Sequence, residues 1–339
     1  MPEQMLVERY VMTLFYNSTL GDRTWIFQYG FLTARSTCGW SALVEGEERG
    51  VICSGPHIEE LRMRENGIQG TIPTEIGLLT NLVFLDVTDN FMLGTFPMFT
   101  IDMPLLRRFW ITSNGFNGPL PTEIGNFPSL TGLDIANNGF TGTIPTEIGN
   151  MKSIQGLFIS DNFLEGSIPS ELGLLSNTLD SLDLENDQLS GLIPTELGRL
   201  TLLTEAWLDS NRLMGEIPSE LGSLTELTRI YLNQNELSGL VPSDLGMLTL
   251  MTTLYFYDND GIRGRLPAEF GRLVKLENFA VHGTALTGGI EETMCDVVVP
   301  VQVIPFERLY ADCLGAAPEV ECSCCTHCCE AGNCVETTQ

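Results

Sequence analysis

Apolar and polar residues recur along this chain with a fixed period that covers almost all of its length. In one copy, Leu130, Leu133 and Ile135 are spaced so that their side chains share one side, and Leu133-Asp134-Ile135 alternates as a strand does. An asparagine, Asn138, follows three residues later. A Gly-Thr-Ile-Pro segment and a Pro-Thr-Glu-Ile-Gly turn then lead into the next copy. The pattern predicts a short strand, a bend and a short helical turn in each copy.

The copies are in register on that asparagine. The residues in its slot follow one another at intervals of 24 or 25 and are Asn66, Asn90, Asn114, Asn138, Asn162, Asp187, Asn211, Asn235, Asn259 and Thr284. A fixed period in this range predicts a solenoid, because one repeat cannot bury its apolar face alone and stacks on its neighbours. We therefore expect about ten stacked repeats whose strands form one parallel sheet.

The asparagine slot has a predicted structural role. An amide both donates and accepts, so a column of asparagines can satisfy backbone groups of adjacent repeats that have no strand partner. An ionised Asp187 cannot donate, which predicts a weaker sixth repeat unless Asn186 takes its place. Asp260, inserted after Asn259, predicts a bulge.

Charge and composition exclude several functions. The chain has 339 residues, 43% hydrophobic residues, a formal net charge of −27 and a pI of about 4.2, which argues against binding to nucleic acid or to anionic membranes. Much of the charge comes from one acid per turn: Glu75, Glu123, Glu147, Glu171, Glu196, Glu220, Asp244 and Glu269. With three histidines and no phosphate loop or His-Glu-x-x-His helix, we expect no catalysis and no cofactor.

No membrane span and no signal peptide are predicted. The apolar stretch at 297–306 is far shorter than the roughly 20 residues required and contains two prolines. The first residues carry Glu3 and Glu8 within their apolar pattern, unlike a leader. Ten cysteines near the two ends nevertheless favour an oxidising compartment, so we expect an extracellular or cell-surface protein whose leader is not part of this sequence.

The N-terminal segment is predicted to cap the first repeat. A helix from about Glu3 to Tyr16 is expected to bury a stripe formed by Leu6, Val7, Tyr10, Val11 and Leu14. Trp25, Phe31 and Trp40 are interpreted as cap core, and Asn17 begins the one glycosylation sequon. A predicted Cys38–Cys53 disulfide would stabilise the cap by about 3 kcal/mol.

These features together resemble a known family. Trp25, Cys38-Gly39-Trp40 and Val51-Ile52-Cys53, followed by LxxLxLxxNxLxGxIP repeats, resemble plant-type extracellular leucine-rich repeat proteins such as receptor-kinase ectodomains and receptor-like proteins. The cysteine-rich ending resembles diatom members of this group. The resemblance implies an α/β solenoid, a right-handed superhelix with a parallel concave sheet and short 3-10 or helical convex turns. A single Cys38 stands where plant members usually have a Cys-Cys pair.

Four segments are predicted. They are an N-terminal helical cap at 1–57, ten repeats at 58–293, a C-terminal cap with a Cys295–Cys313 disulfide at 294–315, and a cysteine-rich tail at 316–339. The tail cysteines are Cys322, Cys324, Cys325, Cys328, Cys329 and Cys334. Six cysteines allow 15 pairings, and a disulfide knot is favoured over a zinc site that would use His327.

Candidate binding residues lie on the strands. The position four before each slot residue faces away from the apolar core and reads Arg62, Asp86, Trp110, Asp134, Phe158, Asp183, Trp207, Tyr231, Tyr255 and Ala280. The next outward column adds Glu185, Asp209, Asn233, Tyr257 and His282. Aromatic rings supply contact area and acids fix a cationic or hydroxyl-rich partner. The predicted ligand-binding residues are Trp110, Asp134, Phe158, Asp183, Trp207, Asp209, Tyr231, Tyr255 and Tyr257. The competing interpretation is that aromatics favour strands and that acids keep the sheet soluble.

Three functions remain open at this point. The favoured one is a receptor-like recognition module that binds a peptide, protein or glycan on the concave face, with a membrane tether possible in the native protein. The others are an inhibitor of a secreted cell-wall hydrolase and a structural or adhesion protein. Ice binding would require regular outward columns of threonine, whereas the strands present aromatics and acids.

Overall fold

The computed structural model describes residues 3–289, 308–311, 320–321, 327–330 and 333–336. By its contacts the chain divides into two compact units, Met1–Leu164 and Glu165–Gln339, here called unit 1 and unit 2. The predicted Cys295–Cys313 disulfide and the pairing of the tail cysteines fall outside what the structure describes and stay predictions. The division into two caps, ten repeats and a tail also stays a prediction.

Unit 1 contains one α-helix and two sets of strands. The helix is α1 (Glu3–Ser18), and the strands are β1 (Ser41–Val44), β2 (Glu47–Ser54), β3 (His57–Arg62), β4 (Gln69–Gly70), β5 (Phe84–Asp86), β6 (Phe91–Gly94), β7 (Arg108–Trp110), β8 (Gly115–Pro119), β9 (Gly132–Asp134), β10 (Gly139–Thr143) and β11 (Gly156–Phe158). One sheet has the order β1-β2-β3-β5-β7-β9-β11, antiparallel through β3 and parallel beyond it. The second sheet is parallel, in the order β4-β6-β8-β10.

Unit 2 repeats this arrangement. Its strands are β12 (Phe163–Gly166, which begins two residues before the unit), β13 (Ser181–Asp183), β14 (Gln188–Leu192), β15 (Glu205–Trp207), β16 (Arg212–Glu216), β17 (Arg229–Tyr231), β18 (Glu236–Leu240), β19 (Thr253–Tyr255), β20 (Asn259–Gly264), β21 (Asn278–Ala280), β22 (Thr284–Leu286), β23 (Gly288–Gly289), β24 (Arg308–Ala311), β25 (Val320–Glu321), β26 (His327–Glu330) and β27 (Asn333–Glu336). The odd strands from β13 to β21 continue through β24, β26 and β27, the even strands from β12 to β22 form the second sheet, and β23 pairs with β25.

A 3-10 turn follows the proline of almost every repeat. These turns are Thr74–Leu78, Met98–Asp102, Thr122–Asn126, Thr146–Asn150, Ser170–Leu175, Thr195–Arg199, Ser219–Ser223, Ser243–Met247 and Ala268–Arg272, and another, Thr37–Gly39, precedes β1. The predicted strand, bend and helical turn are thus confirmed. The apolar positions of the pattern form the core, since Leu133 and Ile135 are fully buried.

The asparagine slot satisfies backbone groups as predicted. The Oδ1 atom of Asn235 accepts the N–H of Leu213 at 2.9 Å, and its Nδ2 donates to the carbonyls of Leu208, Leu232 and Asn233 at 3.0 to 3.2 Å. Asn90, Asn138 and Asn259 make the equivalent bonds. Each amide therefore ties its own bend to the preceding repeat.

The residue before each of the first nine slots adopts a left-handed conformation, with φ between 51° and 55°, which the pattern did not predict. These residues are Glu65, Asp89, Ser113, Asn137, Asp161, Asn186, Ser210, Gln234 and Asp258. Asn and Asp tolerate this region better than most residues. Asn186 therefore lies in the bend, and Asp187 itself occupies the sixth slot, 8% exposed. The bulge predicted at Asp260 is confirmed by a register shift between β20 and β22 after Asn259.

The N-terminal helix buries a different stripe from the one predicted. Leu6 and Tyr10 are exposed, because the buried side is formed by Glu8, Val11, Met12, Phe15 and Tyr16. The side of the helix that carries Glu8 faces β3, where the Glu8 carboxylate lies 3.0 Å from Nδ1 of His57. This contact offsets the cost of burying Glu8.

The aromatic cap core and the first disulfide are confirmed. Trp25, Phe31 and Trp40 are buried and contact one another through ring centroids 4.8 to 5.0 Å apart. Cys38 and Cys53 form a disulfide.

Candidate functional site

In unit 2, five rings form a continuous surface across four neighbouring strands or their ends. Trp207 and Tyr231, cross-strand partners on β15 and β17, stack with ring centroids 6.0 Å apart and planes 4° from parallel. Tyr231 meets Tyr255 edge to face at 5.4 Å, and Tyr255 contacts Tyr257 at 5.9 Å. Tyr257 stacks on His282 at 4.5 Å. We call these five residues the aromatic ladder.

The aromatic ladder is partly open to solvent. Trp207, Tyr231, Tyr255 and Tyr257 are neither buried nor fully exposed, whereas His282 is 9% exposed and closes one end. The structure therefore brings four of the predicted binding residues together. It adds His282, which lies in a column that the sequence had already marked as outward.

Acidic groups lie beside the aromatic ladder, in the column two residues before each slot. The carboxyl groups of Glu185 and Asp209 share a hydrogen bond, and Nδ2 of Asn233 donates to Oδ2 of Asp209 at 3.3 Å. We call Glu185, Asp209 and Asn233 the acid cluster. Burial raises the pKa of the Asp209 carboxyl, although hydrogen bonds from Glu185, Ser210 and Asn233 oppose the shift.

Asp209 of the acid cluster raises the pKa of two neighbouring tyrosines. The pKa of Tyr257 is raised by burial first and by the charge of Asp209 second. Burial also raises the pKa of Tyr231, and Asp209 contributes to that shift. Rings and carboxylates thus lie within electrostatic range of one another on one surface.

The acids of the other outward column have a structural role that the sequence did not reveal. Asp86, Asp134 and Asp183 each accept, through Oδ1, the backbone N–H of the residue two positions later, at 2.9 to 3.2 Å. Such a turn stabilises the chain as it leaves the strand. One carboxylate oxygen of Asp134 and of Asp183 is therefore engaged by the protein's own backbone.

Asp86 departs further from the expected outward acid. It is only 3% exposed, and burial raises the pKa of its carboxyl against the opposing effects of Thr88 and Arg64. Asp86 is therefore a buried structural residue. Its burial is a correction to the sequence interpretation, in which it stood among the outward acids.

In unit 1 the outward face carries a smaller cluster. The guanidinium of Arg108 lies 4.1 Å from the ring centroid of Phe84, and Phe84 meets Trp110 edge to face at 4.6 Å. Trp110 and Phe158 are half-buried. Arg108 is also 3.5 Å from the carboxylate of Glu60, so its charge is partly balanced within the cluster.

A groove lies on the other sheet of unit 2. It is an open groove of about 980 Å³ whose lining includes Leu192, Leu240, Glu216, Asp244 and Arg265. None of its lining residues belongs to the aromatic ladder. Hydroxyls along it, such as Ser219 and Ser243, are hydrogen-bonded to adjacent carboxylates. We favour the ladder as the site, because rings and half-buried acids converge there.

Within the described residues, no group of three His, Cys, Asp or Glu side chains is arranged to hold a metal ion. In the same part of the chain, no helix has the length and apolar character needed to span a membrane.

The repeat geometry is that of a leucine-rich repeat solenoid. The family model Leucine Rich Repeat matches residues 129–151 and 226–248, two of the repeats described above. The N-terminal cap disulfide, the asparagine slot and the second sheet accompany these repeats along the chain.

Similar solved structures are plant receptor ectodomains. The plant peptide hormone receptor RGFR1 in complex with RGF2 is 34% identical, with a TM-score of 0.67 over 70% of this chain and 38% of that one. The LRR ectodomain of the membrane receptor kinase GASSHO1/SCHENGEN3 from Arabidopsis thaliana, in complex with CASPARIAN STRIP INTEGRITY FACTOR 2, is 28% identical, with a TM-score of 0.69 over 86% and 37%. The chain thus spans about two fifths of the length of these receptor chains.

A plant ice-binding protein also shares the fold, with 22% identity and a TM-score of 0.71 over 84% of this chain and 88% of that one. Identity at this level supports the fold alone. No curated protein sequence matches the chain significantly.

Proposed function

We propose that this chain is a receptor-like recognition module that binds a peptide or protein ligand on the concave face of unit 2. The observation that carries the proposal is the aromatic ladder, a continuous run of rings left partly exposed beside half-buried acids. Rings of this kind are the common anchors of protein–protein interfaces. A surface meant only to be soluble gains nothing from exposing them.

The similar structures support the ligand class. Two of them are complexes, one of a plant peptide hormone receptor with RGF2 and one of a plant receptor-kinase ectodomain with CASPARIAN STRIP INTEGRITY FACTOR 2. We extend that class to this chain, with the aromatic ladder as the contact surface and Asp183 and Asp209 at its margin. Trp110, Asp134 and Phe158 in unit 1 are proposed as further contacts.

We propose that the protein works outside the cell or at its surface. The Cys38–Cys53 disulfide supports an oxidising compartment. Receptor ectodomains among the similar structures point the same way.

The test is selection of a displayed library of short random peptides on the immobilised protein. The wild-type chain should enrich a family of peptides, and the double variant W207A/Y231A should bind them about 30-fold or more weakly, because a central aromatic anchor contributes about 2 kcal/mol or more. Y10A is the matched control, since Tyr10 is 59% exposed on α1. It should bind normally.

Thermal unfolding of each variant separates lost binding from lost folding. The proposal fails if no peptide is enriched, or if W207A/Y231A binds as the wild type does. Slowing of a secreted cell-wall hydrolase by the isolated chain, unaffected by W207A/Y231A, would favour the inhibitor alternative.

A further inference from the structure

The acid cluster has more hydrogen-bond acceptors than donors. Glu185 hydrogen-bonds to the Asp209 carboxyl, and a hydrogen bond between two carboxyl groups requires that one of them carries a proton. Oδ1 of Asp209 is buried and accepts no hydrogen bond. The cluster is therefore incomplete as it stands.

Asn233 adds an independent sign of a missing donor. This residue is 2% exposed, and its Nδ2 points to Oδ2 of Asp209, yet its Oδ1 is buried without a hydrogen-bond donor. A buried acceptor left without a partner costs about 1–3 kcal/mol. No group of the described chain donates to this oxygen, whereas a ligand that supplies N–H groups would satisfy it and offset the cost.

Basic side chains on the neighbouring strands are engaged elsewhere. The guanidinium of Arg229 lies 2.8 Å from the carboxylate of Glu205, and Arg212 donates to Gln188 at 3.1 Å. Neither of these contacts involves the acid cluster. A bound ligand would supply the donors that the buried Oδ1 atoms of Asp209 and Asn233 lack.

The adjoining rings suit the same charge. Asp209 and Asn233 lie in the same column as Tyr257 of the aromatic ladder, and the charge of Asp209 raises the pKa of both Tyr257 and Tyr231. Aromatic faces attract guanidinium and ammonium groups. A guanidinium has five N–H donors and no acceptor, which matches several acceptors that lack donors.

We propose that the acid cluster is the specificity pocket for an arginine side chain of the peptide ligand. Glu185 and Asp209 bind the guanidinium, Asn233 accepts one of its N–H groups through Oδ1, and the aromatic ladder packs on the neighbouring part of the peptide. The inference rests on the proposed function, because it assigns the chemistry of the ligand for the same surface.

The experiment reads the composition of the peptides selected above. Wild-type protein should enrich peptides with an arginine at one fixed position, and selection on D209N or E185Q should lose that preference. D244N removes the same charge from an exposed carboxylate in a 3-10 turn and should keep it. D209N is isosteric, and its thermal unfolding verifies that it folds.

A second measurement tests the contact directly. An enriched peptide is synthesised with arginine or with citrulline, which keeps the shape and removes the charge. Citrulline should weaken binding to the wild type by about tenfold or more, and the loss should shrink on D209N because the charge pair is already broken. Enrichment without an arginine, or equal binding of both peptides, overturns this inference and leaves the proposed function standing. If no peptide is enriched, both are wrong.

Discussion

Replacing Asn235 by alanine tests the repeat architecture at one of its slot residues, whose side chain makes four hydrogen bonds. Asn235 is 8% exposed and bonds to both its own repeat and the preceding one. Alanine fits the space but makes none of the four hydrogen bonds. The variant therefore removes polar contacts with little change in the apolar core.

The cost follows from which groups lose their partner. The carbonyls of Leu208 and Leu232 still accept from Asn211 and Asn259, and that of Asn233 still accepts from the N–H of Ser210. The N–H of Leu213 loses its acceptor and stays buried, at a cost of about 1–3 kcal/mol. With the weakened carbonyl contacts, we expect N235A to lower the free energy of unfolding by about 2–4 kcal/mol.

The assay is equilibrium unfolding in urea, followed by tryptophan fluorescence, with hydrogen exchange at the Leu213 amide as a local readout. Two variants are matched controls. N235D copies the sixth repeat and should also destabilise, since an ionised carboxylate cannot donate to carbonyls. D187N should stabilise by about 1 kcal/mol, because it restores the donor that the other slots have. The reasoning is refuted if N235A loses less than about 0.5 kcal/mol and the Leu213 amide exchanges as in the wild type.

Two further predictions concern single positions in the fold. G222A should destabilise by about 1–3 kcal/mol, because the added Cβ would lie 2.4 Å from the carbonyl oxygen of Asp244. G77A is the control at the same position of the first turn after a repeat proline, where the added Cβ meets nothing nearer than 3.5 Å, and it should be close to neutral. Equal urea midpoints for the two variants would contradict this. D86N should stabilise at neutral pH. Burial raises the pKa of Asp86, so its contribution is fully present below its ordinary value of 3.8 and is lost as pH rises through the folded-state pKa. The gain from D86N should therefore vanish in acid, and a melting temperature difference that does not change with pH would count against it.

The periodic part of the fold was predictable because its determinants are local and repeated. The spacing of Leu133, Ile135 and Asn138 sets the strand, the core side and the bend, and the same solution recurs in each repeat. The left-handed column also had a local signal, since Asp89, Asn137 and Asp258 are residue types that tolerate positive φ.

What the sequence left open depends on partners distant in the chain or on rotamers. The helix stripe turned toward Glu8 because of His57, 49 residues away. Asp86 was expected outward, but its side chain turns back to the N–H of Thr88. The sequence grouped the strand residues into columns, but the burial of Asn233 and the hydrogen bond between Glu185 and Asp209 depend on side-chain conformations that no periodicity specifies.

The most direct test of the central claim is hydroxyl-radical footprinting of the protein with and without a selected peptide. Binding should protect the side chains of Trp207, Tyr231 and Tyr257 and leave the exposed Tyr10 unchanged. Protection of the groove around Leu192 and Leu240, with an unprotected aromatic ladder, would contradict the claim that this surface binds the ligand.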